Sequence, residues 1–357
     1  MLHAVIMAGG SGTRFWPASR CDRPKQLLTL ATDTPLLRMT FERLGDLVPP
    51  ERVWVVTTAA TADASREILP ELPAGNVLTE PVGRNTAACA GFAAHAVLSQ
   101  DPEAICIVLP ADHVIGQEER FRSAMAAGAR LVEREGGLLT FGVQPTRPET
   151  GYGYLEVGQE HSRDGEWAVH QLQRFVEKPG VESAQRYLES ARFLWNAGIF
   201  AWRAVDLLDE IQRQLPKLAE GLSRLAKAFG SSEADAVFAE VYPTLFATSV
   251  DFGVMEGAQR CWTVPVDFPW SDIGSWSALT EAVPGDASEN HCRGQILTLD
   301  ARGNILVSTG PVVSAVGIQD LVVVATRDAV LVVPKDQAQR VKDVVEALHE
   351  KGWEDVL

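Results

Sequence analysis

Val5-Ile6-Met7-Ala8-Gly9-Gly10-Ser11-Gly12-Thr13-Arg14, followed at short range by Arg23-Pro24-Lys25, joins a buried apolar run to a glycine-rich, cationic loop. Three glycines in four positions let the chain turn tightly and bring backbone N–H groups against phosphate oxygens, where a Cβ would obstruct the approach. Arg14, Arg20, Arg23 and Lys25 fall in twelve residues that hold one acid, Asp22, while the whole chain carries a formal charge of −15. A local cationic pocket in an acidic protein points to a small anionic ligand. The P-loop spacing G-x-x-x-x-G-K-[ST] does not occur here. A dinucleotide fingerprint read from Gly10 puts Phe15 where a third glycine should let helix and strand pack closely. A glycine turn alone is compatible with a tight structural loop; the attached Thr13-Arg14 and the downstream lysine favour polyphosphate binding.

Outward from this loop, β-branched runs alternate with longer amphipathic segments: His3–Met7, 36–47, Val53–Thr57, 87–98, Ile105–Leu109 and 121–135. This β-α-β-α pattern predicts an α/β fold with a Rossmann-like, mostly parallel sheet whose ligands sit at the carboxyl ends of the strands. Residues 140–205 read as more strand-like, and helices are expected near 204–228 and 232–241. From 294 to 334, apolar runs recur about every eight residues between Gly, Asn, Asp or Pro, which suggests a small stacked β structure. A helix near 335–351 would place Val341, Val344, Val345 and Leu348 on one face. The expected division is 1–285 and 286–357.

The chain has 357 residues and is 46% hydrophobic, with no window resembling a membrane span and no room for a signal peptide before the first strand. A cytoplasmic protein is expected, with no membrane partner. The five cysteines are scattered and form no C-x-x-C pair, which disfavours a disulfide scaffold or a zinc site. The acidic balance argues against nucleic acid as a partner.

Asp112, in Leu109-Pro110-Ala111-Asp112-His113, falls just past a predicted strand. Facing a triphosphate, such an acid is repulsive unless a divalent cation lies between them, and Mg²⁺ is the usual bridge. Asp272, between Trp270 and Trp276, is a second candidate for the same ion. His113 reads as packing, because an anionic phosphate nucleophile needs no general base. Glu80-Pro81-Val82-Gly83-Arg84-Asn85-Thr86 leads into a small-residue helix, with Asn85 or Thr86 as a cap and Glu80 or Asn85 available to a base edge. Gly151-Tyr152-Gly153-Tyr154 offers backbone amides and hydroxyls. Glu177 and Lys178 are suited to sugar hydroxyls and a sugar phosphate; as strand neighbours they reach one ligand only if Pro179 ends the strand. Asn196, in Trp195-Asn196-Ala197-Gly198, adds an amide for neighbouring hydroxyls.

Together and in this order, these motifs resemble the nucleotidyltransferases that make nucleotide sugars, most closely the mannose-1-phosphate guanylyltransferases in their short form without an isomerase domain, over about residues 3–280. The resemblance implies a glycosyltransferase-A-like catalytic domain. It also implies a left-handed β-helix-like C-terminal section with a closing helix, which covers the active site and supports a homodimer. It implies a nucleotide site of Gly9, Gly10, Ser11, Gly12, Thr13, Arg14, Lys25, Glu80, Arg84, Asn85 and Asp112, with Mg²⁺ on Asp112 and Asp272. Gly153, Glu177, Lys178 and Asn196 would take the sugar phosphate, and Arg14, Lys25, Asp112 and Lys178 would carry the chemistry. The implied substrates are GTP and mannose 1-phosphate. Another sugar 1-phosphate, such as glucose or a heptose, and a non-catalytic nucleotide-binding subunit stay open alternatives.

Overall fold

The computed structural model describes residues 1–10 and 12–357, so that Ser11 of the predicted loop lies outside the described residues. Strands β1 (Leu2–Ala8), β2 (Val53–Thr58), β3 (Val77–Glu80) and β4 (Ile105–Pro110) run parallel in the spatial order β3-β2-β1-β4. Helices α1 (Leu36–Leu44), α2 (Ala62–Ile68) and α3 (Asn85–Leu98) make the crossovers. These strands read as unbroken apolar runs because both faces of the sheet are covered. Ala4, Ile6, Val53 and Val55 point into one core with Phe121 and Met125, while Val5, Trp54 and Val56 point into another with α3. Alternation of side chains along a strand thus sends neighbouring apolar residues into separate cores.

The chain continues through β5 (Val114–Ile115), α4 (Glu118–Glu135), β6 (Leu138–Val143), the hairpin β7 (Tyr154–Asp164) and β8 (Trp167–Val176), α5 (Val181–Ser190) and β9 (Phe193–Arg203). Helices α6 (Ala204–Gln214), α7 (Pro216–Ala228), α8 (Ala234–Val241) and α9 (Val250–Gly253) precede β10 (Cys261–Val266) and β11 (Trp270–Ser271). The nine-stranded order is β3-β2-β1-β4-β9-β6-β10-β8-β7. The sheet is mixed: β9 runs antiparallel to β4 and β6, and β8 antiparallel to β10 and β7, while β6 and β10 are parallel. Because β9 runs backwards, its early residues reach the edge of the sheet where β1, β3 and β4 end.

The helical stretch expected near 204–228 is two helices, since Pro216 has no N–H and bars Leu215 from helical geometry (φ −131°, ψ 58°). The expected cap of α3 is also corrected. Neither Asn85 nor Thr86 caps it: Asn85 adopts φ 64° and its Oδ1 accepts from the Thr86 amide at 2.8 Å, while Thr86 Oγ1 accepts from the Val250 amide at 2.8 Å. Thr86, which could have capped the helix, ties it to α9 instead, while the Asn85 side chain folds onto the neighbouring amide.

In the C-terminal part, β12 (His291–Arg293), β14 (Ile305–Ser308) and β16 (Leu321–Ala325) pair in parallel, as do β13 (Ile296–Leu299) and β15 (Val313–Val316), and β17 (Val330–Pro334) closes antiparallel on β16. β12, β13 and β14 each pair with the next strand but one, so the eight-residue rhythm winds a two-sided coil. Buried Asn290 and Asn304 stitch its turns: Asn304 Nδ2 donates to Asn290 Oδ1 at 2.9 Å, and Asn304 Oδ1 accepts from the Leu321 amide at 2.9 Å. A 3-10 turn over Lys335–Arg340 leads into α10 (Val341–Glu350). Val341 and Leu348 are buried, with Val344 and Val345 partly so, against Phe15, Trp16 and Trp276. The coil and its helix therefore share a core with the segment that follows the glycine loop.

Candidate active site

Parallel strands β1, β3 and β4 end on one edge, which gathers Gly9, Glu80 and Asp112 from three distant stretches of sequence. The loop after β1 is fixed from beneath: Ala8 O accepts from Gln26 Nε2 at 2.7 Å and Thr57 Oγ1 at 3.1 Å, and Gly12 O accepts from Ser19 Oγ at 2.9 Å. Gly12 has φ +62°, and a Cβ there would overlap Lys25 Cβ and lie 2.9 Å from the Lys25 amide nitrogen. Only glycine lets the loop and Lys25 come this close.

Lys25 is 6% exposed, and its ammonium donates at 2.8 Å to Asp112 Oδ2 and at 2.5 Å to the main-chain oxygen of Asp272. It thereby joins the β4 edge to the segment after β11. Burial pushes the Asp112 carboxyl up, but the charges of Lys25 and His113 and the Lys25 hydrogen bond together hold the group below the usual range. The Asp272 carboxylate is oriented by Tyr152, whose hydroxyl donates to Oδ1 at 2.8 Å from between the rings of Trp195 and Trp270. His113 packs as expected: Nδ1 accepts from Trp270 Nε1 at 3.2 Å, and burial keeps the ring's pKa below its ordinary value despite Asp112 and Asp272 nearby.

Arg14 is exposed and donates through Nη1 to Gln339 Oε1 at 3.3 Å, so a residue just before α10 reaches the glycine loop. Arg14, Tyr152, Asp272 and Gln339 line one cavity of about 390 Å³ with Arg147 and Glu281. A larger cavity of about 1010 Å³ lies between residues 17–33, α2 and the C-terminal coil. It is lined by neither Lys25 nor the two aspartates, and its Arg20 and Arg293 are already paired with Asp328 and Asp33.

Glu80 sits behind Gly9, 3% exposed, and its Oε1 accepts from the Tyr242 hydroxyl at 2.5 Å. Burial raises its pKa to about 7, against the lowering effect of that hydrogen bond. Asn85 and Thr13 are exposed, and Arg84 is half-buried with Nε lacking a partner among the described residues.

On the sugar side, β8 ends at Val176, so Glu177 and Lys178 stand just beyond it. A φ of 45° at Lys178 turns its side chain back, and Nζ donates to Glu177 Oε1 at 2.6 Å. Gly153 leaves room for Glu177: a Cβ there would be 2.8 Å from Oε2. Asn196 is more tied up than the sequence suggested. Its Oδ1 accepts from Thr140 Oγ1 at 2.7 Å and from the Gly198 amide at 3.2 Å, and its Nδ2 donates to Asp251 Oδ1 at 2.9 Å. Asp251, held up at about 6 by burial and by the charge of Glu177, has no motif around it and was missed; so were Tyr242 and Gln339. Tyr152 lay inside a motif already singled out, and its hydroxyl was the available signal.

Arg14, Tyr152 and Asp272 thus line one cleft, and the buried Lys25 ties Asp112 to the Asp272 segment. Residues 3–289 match the nucleotidyl transferase family, and residues 294–348 match the family described as MannoseP isomerase/GMP-like beta-helix domain. Mannose-1-phosphate guanylyltransferase 2 of Escherichia coli O157:H7 is 39% identical over 97% of this chain and 73% of its own length. The mannose-1-phosphate guanylyltransferase of Escherichia coli K12 is 38% identical over 98% and 74%. A crystal structure described as mannose-1-phosphate geranyltransferase from Thermus thermophilus superposes with a TM-score of 0.87 at 38% identity, covering 98% of this chain and 99% of that one.

Proposed function

The chain belongs to the nucleotidyl transferase family, and from that premise we propose that it transfers the guanylyl group of GTP to α-D-mannose 1-phosphate, releasing GDP-mannose and pyrophosphate. The observation that carries this reading is the Lys25 ammonium fastened between Asp112 and Asp272 under a glycine loop at the ends of parallel strands. A triphosphate lies on residues 9–14 with Lys25 and Arg14 facing its negative oxygens. Glu80, Arg84 and Asn85 flank the base end of the cleft. Mannose 1-phosphate rests on Gly153, Glu177, Lys178 and Asn196, and its phosphate oxygen attacks the α-phosphorus in line as the bond to pyrophosphate breaks. The nucleophile is already anionic, so these residues work by positioning and by offsetting charge that builds on the α-phosphate and leaving group.

Asp112 and Asp272 fit a hard divalent cation such as Mg²⁺. They offer carboxylate oxygens from two segments, and Tyr152 fixes one of them. Among the described residues no group of three or more His, Cys, Asp or Glu is placed to hold a metal unaided, as suits a site whose other ligands are substrate phosphates. When bound, the ion supplies charge neutralisation on those phosphates. The same reading places the enzyme in the cytoplasm as a homodimer, with catalysis in residues 1–285 and the coil and closing helix in 286–357. No helix among the described residues is long and apolar enough to cross a membrane.

The test is pyrophosphate release with Mg²⁺, crossing GTP, ATP, UTP and dTTP against mannose, glucose and heptose 1-phosphates. Fast release is expected with GTP and mannose 1-phosphate; a different fast pair would move the substrate assignment. GTP binding with silence throughout would leave a non-catalytic binding protein.

A further inference from the structure

The Lys25 ammonium occupies a position that a second cation would also prefer. Its two acceptors, Asp112 Oδ2 at 2.8 Å and the Asp272 main-chain oxygen at 2.5 Å, are a carboxylate and a carbonyl drawn from distant segments, the donors a hard divalent ion selects. Of the remaining carboxylate oxygens, Asp272 Oδ1 is engaged by Tyr152 and Asp112 Oδ1 lies 3.9 Å from His113 Nε2. A divalent ion bound at Asp112 would therefore meet the Lys25 charge on the same carboxylate. The lysine backbone is locked against Gly12, so a change of partner for the ammonium has to be made by rotations along its four-carbon stem.

We propose that Lys25 is a resident counter-cation: before substrate arrives it ties Asp112 to the Asp272 segment and competes with free divalent metal for Asp112, and it is drawn onto the triphosphate only when metal and nucleotide enter together. The inference rests on the reading of Asp112 and Asp272 as the metal-bearing acids. Two consequences follow. Metal alone binds the protein weakly, because it must displace an ammonium whose hydrogen bond to the carboxylate is charge-assisted. Nucleotide strengthens metal binding by giving that ammonium a new anionic partner, so the two bind with positive coupling.

The experiment titrates Mn²⁺ into nucleotide-free full-length protein, with free Mn²⁺ followed by its electron paramagnetic resonance signal, for wild type, Lys25→Met and Lys25→Gln, each checked for folding by circular dichroism. Removal of the competing ammonium should tighten Mn²⁺ binding roughly tenfold, and adding Asp112→Asn to either variant should abolish the gain. Unchanged or weaker binding in folded Lys25 variants overturns the proposal.

Wild-type protein with ¹³C-labelled lysine side chains gives a second readout that needs no lysine substitution. The Lys25 resonance should move when Mg²⁺ and a non-hydrolysable GTP analogue are added together, and a resonance that stays in place also overturns the proposal. Neither readout requires turnover. An inactive protein with the expected Mn²⁺ behaviour would refute the guanylyl transfer reading alone, and an active enzyme with unchanged Mn²⁺ binding would refute the counter-cation alone.

Discussion

Replacing Gly12 by Ala tests how the glycine loop and Lys25 depend on each other. The added methyl is strained twice. An L-residue at φ +62° costs roughly 1–2 kcal/mol. The overlap with Lys25 Cβ and the close approach to the Lys25 amide resemble overpacking of a filled site, typically about 1–3 kcal/mol. The sum, roughly 2–5 kcal/mol, would lower the melting temperature by about 4–20 °C, at about 2–4 °C per kcal/mol for a large domain. The functional loss should be greater. Lys25 is pinned at both ends, by Gly12 at its backbone and by Asp112 and Asp272 at its ammonium, so relief of the clash drags the ammonium off its acceptors. A displacement of ~1 Å in a positioning group costs about 10²-fold in rate. The assay is pyrophosphate release at saturating substrates, with a thermal melt on the same sample. Gly10→Ala is the control, because a Cβ there meets nothing within 4 Å. It should melt like wild type and raise KM for GTP if phosphate lies against that backbone. A Gly12→Ala protein with wild-type melting and kcat would show that the loop and Lys25 do not constrain each other.

Four further outcomes are expected. Glu80 titrates near 7 when folded but near 4.3 when unfolded, so its contribution to stability is fully present below about pH 4 and is lost as pH rises toward 7, by up to about 1.4 kcal/mol per unit. Urea unfolding at pH 5 and pH 7 should show a smaller difference for Glu80→Gln than for wild type, and an equal difference would remove Glu80 as the cause. Tyr152→Phe keeps the ring between Trp195 and Trp270 but frees Asp272 Oδ1. The Mg²⁺ concentration for half-maximal rate should rise about tenfold while stability changes by about 1 kcal/mol; an unchanged Mg²⁺ requirement counts against the orienting role. Asn196→Ala strands Thr140, the Gly198 amide and Asp251, and should cost roughly 2–4 kcal/mol of stability. Lys178→Ala, at a side chain 63% exposed, should leave stability within about 0.5 kcal/mol and raise KM for mannose 1-phosphate. Chemical denaturation and saturation kinetics on the two variants separate these effects, and equal stability losses would contradict the distinction.

The alternation of strands and helices, the glycine loop, and the placing of Asp112 past a strand end are legible in the order of the residues alone. These depend on local rules: the period of apolar residues, the conformational freedom of Gly12, and the turn that must follow a buried strand. The eight-residue rhythm after 294 likewise foretold a stacked β structure, since each strand of the coil is bounded by its own turn residues. Long-range packing set what local rules do not encode. It reversed β9, which carries Asn196 to the strand-end edge. It broke the helix at Pro216, where the sequence did hold the signal, and used Thr86 as a tie to α9 rather than a cap. It also supplied Tyr152 to Asp272, Tyr242 to Glu80, Asp251 to Asn196 and Gln339 to Arg14, partners 55 to 325 residues apart in the chain. Side-chain hydrogen bonds across such separations leave no periodic trace, because they depend on where packed cores bring two elements together. The residue types present at the cleft are thus written locally, whereas the pairing that gives each its charge and orientation exists only in the folded chain.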